Sequence, residues 1–264
     1  MFDNHTHSKH STDSKMELAS MITEAKNRNL KGVAITDHYD YNCPLGPGFF
    51  VYDPAIQQED IDKHRETTDL KILKGVEIGM QPELIVDMIK FSGSYRFDTI
   101  VASLHYIDGT DPYHGGYYEK YNAKEAYGRY LETIYDCISQ FHNFDILGHY
   151  DYIARYAPYP ETSITFKEFG YILDPILKEL VNYGQTFEIN TKTYHLFGNR
   201  EPLLDIDIIK RFKELGGEAV SLGSDAHDTK RLGDNFHHFI DILKSCGFNK
   251  GIYFENREAK YYKY

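Results

Sequence analysis

Six times along this chain a short apolar run ends in an imidazole or a carboxylate. His5-Thr6-His7 opens the series after Met1-Phe2-Asp3-Asn4, and Thr36-Asp37-His38 follows Val33-Ala34-Ile35. Glu77 ends Ile72-Leu73-Lys74-Gly75-Val76, and His105 follows Ile100-Val101-Ala102-Ser103-Leu104. His149 follows Asp145-Ile146-Leu147-Gly148, and Asp225-Ala226-His227 follows Val220-Ser221-Leu222-Gly223-Ser224. One His-x-His says little. Six such run ends in one chain constrain the fold, because a parallel α/β barrel gathers the C-terminal ends of its strands at one rim and builds metal centres there.

The runs predict strands at 2–6, 32–36, 71–77, 99–103, 145–148, 186–189 and 219–223. They are apolar with little alternation, as in strands covered on both faces. Between them lie helical stripes. Leu18, Met21, Ile22 and Ala25 mark the first, ending near Asn29, and Tyr127, Leu131, Ile134, Ile138 and Phe141 the second. Phe169, Ile172, Leu173, Ile176, Leu177 and Leu180 mark the third, with Gly184 as its stop. Ile208, Ile209, Phe212 and Leu215 mark the fourth, and Phe239, Ile240 and Leu243 the fifth. These stripes read as core. Alternating strands and helices imply a parallel sheet. Ligands on six of the seven strand ends favour a closed or nearly closed barrel over an open doubly wound sheet, whose ligands meet at one switch point. The Gly- and aromatic-rich segment 44–53 and the segment 106–121 read as long loops beside the site.

A length of 264 residues suits one barrel-sized domain, expected to span 1–264. No apolar stretch is long enough to span a bilayer, and the first residues lack a basic region followed by an apolar run, so neither a membrane span nor a signal peptide is expected. Cys43, Cys137 and Cys246 form no CxxC and are odd in number, which favours free thiols in the cytoplasm. A net charge of −11 disfavours a nucleic-acid partner. The 23 Tyr, in a chain without Trp, supply side chains for a polar cleft.

Nine side chains are candidate metal ligands: His5, His7, Asp13, His38, Glu77, His105, His149, Asp225 and His227. His5 and His7, one residue apart, share a face of a strand, and Asp225 and His227 repeat the spacing. A core histidine or a rim salt bridge is the plain alternative at any single position. Asp13 equally suits the N-cap of the helix that follows. His195 and His114 are the remaining histidines placed in cleft loops.

These motifs resemble the polymerase and histidinol phosphatase (PHP) superfamily. The resemblance runs through nearly the whole chain and keeps the family order. Gln81-Pro82-Glu83, His105-Tyr106-Ile107-Asp108-Gly109 and Glu188-Ile189-Asn190-Thr191 resemble its histidinol-phosphate phosphatase branch. The resemblance implies a distorted (β/α)7 barrel holding two or three divalent ions of Zn, Mn or Fe. His5, His7, Glu77 and Asp225 would hold the first ion. Glu77, His105 and His149 would hold the second, and Asp13, His38 and His227 the third. Many members carry His where Asp13 stands. The branch also often carries Arg a few residues beyond the Asn190 position, where this chain offers Lys192, His195 and Arg200.

The implied activity is hydrolysis of L-histidinol phosphate, a small phosphate monoester, by a hydroxide held between metals. Glu77, Asp225 and His227 are the expected catalytic groups, with Asp225 relaying a proton. Asn190, Arg155 and Arg200 are the expected substrate contacts, Arg155 as the first choice of phosphate clamp. Two other readings stand beside this one: a PHP phosphoesterase acting on a nucleotide or another small ester, and a metal-binding protein without turnover. Oligomeric state leaves no mark on the sequence.

Overall fold

The computed structural model of the chain describes residues 1–195 and 202–264. Seven parallel strands form the wall of a nearly closed barrel: β1 Phe2–Thr6, β2 Gly32–Ile35, β4 Lys71–Gly79, β5 Thr99–Ser103, β6 Ile146–Leu147, β7 Thr186–Asn190 and β8 Ser221–Gly223. The sheet closes between the first and last strands. Asp225 N donates to His5 O at 2.8 Å, and His7 N donates to Ala226 O at 2.9 Å.

A short strand, β3 His38–Tyr39, runs parallel beside the end of β4 and pairs His38 with Glu77. Two ligand candidates distant in sequence are thereby set in register by the backbone alone.

Helices α1 Leu18–Asn27, α4 Ala123–Ile138, α6 Phe166–Asn182, α7 Ile206–Glu214 and α8 Phe236–Ser245 occupy the five expected positions. Each buries its apolar stripe, as α6 does with Phe169, Ile172, Leu173, Ile176, Leu177 and Leu180. Three helices were not expected. α2 Pro54–Arg65 buries only Pro54, Gln57 and Ile61, so it has little periodicity to read, although Asp53 caps it by accepting from Ala55 N. α3 Ile85–Ser94 and α5 Tyr152–Tyr156 are short. The expected loop 106–121 contains two single turns of 3₁₀ helix.

The far end of the barrel is closed by an unexpected antiparallel hairpin, β9 Lys250–Glu255 and β10 Glu258–Lys263. Its two-residue turn places Asn256 and Arg257 at φ 52° and 66°, the left-handed pair that a tight hairpin requires. Ile252 and Phe254 pack against Val101, Ile146 and Ala219, and Tyr253 stacks on Phe2 at 3.9 Å between ring centroids. With this floor filled, the opposite rim is left to chemistry.

Candidate metal centre

Glu77 sits at the middle of that rim, fully buried. Its Oε1 lies 2.8 Å from His149 Nε2 and 3.1 Å from His105 Nε2. Its Oε2 lies 2.9 Å from His38 Nδ1, 3.2 Å from His5 Nε2 and 3.5 Å from His7 Nε2. Five imidazoles, carried by the ends of β1, β5 and β6 and by β3, thus surround one carboxylate. Asp225 Oδ1 is 3.5 Å from His7 Nε2. Asp13 Oδ2 is 2.9 Å from His227 Nε2 and 3.6 Å from His38 Nε2. All nine candidate ligands therefore meet, drawn from segments as far apart as Asp13 and His227. The donor atoms of eight of them form four overlapping groups, His5–His7–Asp225, His5–Glu77–His149, His38–Glu77–His105 and His7–His38–His227, with Asp13 in none. These differ in part from the expected sets, because His5 falls with His149, His38 falls with His105, and His7 rather than Asp13 groups with His38 and His227.

The donor set fits divalent cations. Ser11 Oγ donates to Asp37 at 3.0 Å, so at 3.1 Å from His7 Nδ1 it acts as acceptor and that nitrogen carries hydrogen. Glu188 Oε1, 2.9 Å from His5 Nδ1, fixes that ring in the same way. The two Nε2 atoms, 3.1 Å apart, are then the nitrogens left to face a cation, and without one His5 Nε2 takes a proton in its place. Glu77 Oε2 is buried and accepts no hydrogen bond. Converging lone pairs without donors are costly to bury, and a cation removes the cost. Imidazole nitrogen with carboxylate oxygen suits Zn, Mn or Fe.

The field of the pocket points the same way. Burial would raise Glu77, but His5, His105 and His38 outweigh it and hold the carboxyl well below its usual range. Burial would likewise raise Asp225, and Lys192 with the neighbouring imidazoles holds it down. Burial would depress His5, yet Glu188 and Glu77 outweigh it and lift the ring well above the usual imidazole value. The centre demands positive charge.

A cleft of about 500 Å³ opens above the cluster. Arg155, on α5, is almost wholly buried at its wall. Its Nη1 lies 3.3 Å from Asp225 Oδ2, and its Nη2 donates to Asn190 Oδ1 at 3.2 Å and to Thr193 Oγ1 at 2.9 Å. Asn190, which ends β7, also donates to Glu188 Oε2 at 3.2 Å. Arg200 lies outside the described residues. His114 lines the cleft, as expected of its loop. His195 is not among the lining residues and faces Asp234 at 3.1 Å.

Sequence reasoning named Lys192 only as one of three residues near the branch's Arg position, and gave no role to Asp40 or Glu188. Lys192 Nζ donates to Asp225 Oδ1 at 3.2 Å and lies 3.4 Å from His227 Nδ1. Asp40 Oδ1 is 2.9 Å from His105 Nδ1. Glu188 holds His5. A carboxylate inside the apolar strand Thr186–Asn190 was a readable signal for Glu188, and Asp40 stands two residues beyond His38, on the same face of an extended segment.

An imidazole–carboxylate cage at the C-terminal rim of a seven-stranded parallel barrel defines a metallophosphoesterase class, and residues 3–192 match the PHP domain family. The chain belongs to that family. A protein of Clostridium acetobutylicum named "Probable histidinol-phosphatase" is 36% identical over 261 residues, covering 99% of each chain. The histidinol-phosphatase of Lactococcus lactis is 33% identical over 250 residues, covering 94% of this chain and 92% of its own. The crystal structure of histidinol phosphate phosphatase from Lactococcus lactis, complexed with Zn, L-histidinol and phosphate, matches this fold with a TM-score of 0.88 at 30% identity over 98% of each chain.

Proposed function

We propose that this chain, acting as one unit over 1–264, hydrolyses L-histidinol phosphate to L-histidinol and inorganic phosphate. The observation that carries the reading is the ring of five imidazoles on Glu77 beside the buried Arg155 guanidinium. The full-length likeness to the Clostridium and Lactococcus proteins supports the choice of substrate.

His5, His7, His38, His105, His149, His227, Asp13, Glu77 and Asp225 would hold two or three divalent ions, zinc first and manganese or iron as alternatives. Bound there, the ions would polarise the phosphate ester and acidify water.

The rest falls to the chain's own side chains. Arg155, whose Nη2 is held by Asn190 and Thr193, keeps Nε and the second Nη1 hydrogen for phosphate oxygen, and Lys192 adds a second positive charge across Asp225. Both neutralise oxygens on which charge grows as the ester bond breaks. Asp225, held ionised between them, takes the proton of the attacking water and returns it to the departing alkoxide of histidinol. Asn190 keeps the Arg155 fork in place. Asp111, Tyr113 and His114 line the outer cleft, where Asp111 offers a carboxylate to the substrate's ammonium group.

Among the described residues no helix is long and apolar enough to cross a membrane. The three buried cysteines are unpaired, in keeping with a cytoplasmic enzyme of histidine biosynthesis.

The test pairs elemental analysis of the purified protein with phosphate release from a substrate panel. Metal-dependent release from histidinol phosphate, lost in His5→Ala, is expected. Faster release from 3′-phosphorylated nucleotides would overturn the substrate assignment.

A further inference from the structure

We infer that Glu188 and Asp40 are positioning residues that turn His5 and His105 toward the metal ions and set how tightly those ions are held. The inference rests on the metal-centre reading above.

Both carboxylates do the same thing from opposite sides of the rim. Glu188 Oε1 takes the Nδ1 hydrogen of His5 at 2.9 Å, and Asp40 Oδ1 takes that of His105 at 2.9 Å. An ionised carboxylate only accepts, so each ring is locked as the tautomer whose Nε2 is bare. Those bare nitrogens are the ones turned toward Glu77, at 3.2 Å and 3.1 Å. A carboxylate behind an imidazole fixes its orientation and makes its ligating nitrogen more basic. Glu188 and Asp40 are themselves anchored. Glu188 Oε2 accepts from His149 N and Asn190 Nδ2, and Asp40 N donates to Phe50 O.

The neighbouring strands make room for each carboxylate with a glycine. A Cβ on Gly79 would fall on Asp40 Oδ1 and 2.5 Å from its Cγ. A Cβ on Gly223 would fall on Glu188 Oε1, 2.9 Å from its Cδ and 2.6 Å from His5 Cβ. Neither glycine has positive φ, so any residue has access to these backbone angles. Space for the carboxylates is what excludes a side chain there. Two independent strand ends, β4 and β8, carry the same accommodation.

The experiment measures zinc affinity of the full chain by competition with a chromogenic chelator, with melting of the metal-free protein followed by circular dichroism. The variants are Glu188→Gln, Asp40→Asn, Gly223→Ala and Gly79→Ala. Each is expected to weaken zinc binding by about 10- to 100-fold; the metal-free protein keeps its melting temperature in Glu188→Gln and Asp40→Asn, while the crowded Gly223→Ala and Gly79→Ala lower it as well. Asp151→Asn removes an equally buried carboxylate bonded to Tyr194 and Thr193 rather than to an imidazole, and is expected to keep wild-type affinity. Wild-type affinity in Glu188→Gln and Asp40→Asn overturns the inference. So does zinc loss that merely follows a fall in metal-free melting temperature across all the variants, which would make the carboxylates supports of the fold. A wild-type chain that takes up no zinc, manganese or iron overturns the metal-centre reading itself, and this inference with it.

Discussion

Arg155 and Asp225 meet at 3.3 Å with both side chains almost wholly shielded from water. The pair joins the cage to the cleft: Asp225 also faces His7, while Arg155 lies over the rings of Tyr152 and Tyr156. A buried guanidinium with one carboxylate partner and Nε left unbonded still has a donor to offer an anion.

Replacing Arg155 by Ala should therefore raise KM for histidinol phosphate more than it lowers kcat. Loss of a charge-assisted hydrogen bond costs about 1.5–3 kcal/mol, on the order of tenfold to a hundredfold in KM. Steady-state kinetics read the outcome, with Arg155→Lys recovering part of the loss. An unchanged KM removes Arg155 from the phosphate site.

Stripping metal should destabilise the protein as well as inactivate it. Without a cation the buried His5, His7 and Glu77 lose the charge that joins them, and only a proton on His5 stands in for it. Thermal melts with and without chelator should show a lower melting temperature for the stripped chain, restored by adding zinc or manganese. A melt indifferent to metal would contradict this.

Stability should also depend on pH through Asp145. Burial pushes its carboxyl up to about 6, outweighing Arg257, whose Nε is 2.6 Å from Oδ2. The folded chain therefore holds this proton more tightly than the unfolded chain, whose value is about 3.9. The corresponding stability is fully present below about pH 3.9 and is lost as pH rises through about 6. The melting temperature of the wild type relative to Asp145→Asn should fall across that window, and a constant difference would refute the assignment.

The hairpin floor should matter to stability alone. Phe254 is buried against Val101, Ile146 and Ala219, at the end of the barrel away from Glu77. Phe254→Ala should cost about 3–5 kcal/mol in a denaturant melt, with metal content and KM unchanged.

The barrel and the ligand cluster were legible because both rest on repetition. Apolar strands recur at barrel spacing, and ligands fall at equivalent ends. The five helices whose stripes are continuous, α1, α4, α6, α7 and α8, were legible for the same reason. The polar α2 was not, since its periodicity is weak, and the hairpin was hidden because β10 is mostly polar. Asp40, Glu188 and Lys192 act through partners distant in sequence, His105, His5 and Asp225, and local pattern carries no information about such pairings. The grouping of imidazoles around Glu77 likewise depends on β3, two residues long, which no window of sequence resolves.

The seam of the barrel joins Asn4 to Ser221, 217 residues apart in the chain. His5 and His7 are made early, but Asp225 and His227 emerge from the ribosome only after every other strand of the wall. The groups His5–His7–Asp225 and His7–His38–His227 therefore wait for the last strand of the wall, whereas His5–Glu77–His149 and His38–Glu77–His105 are encoded entirely in the first 149 residues.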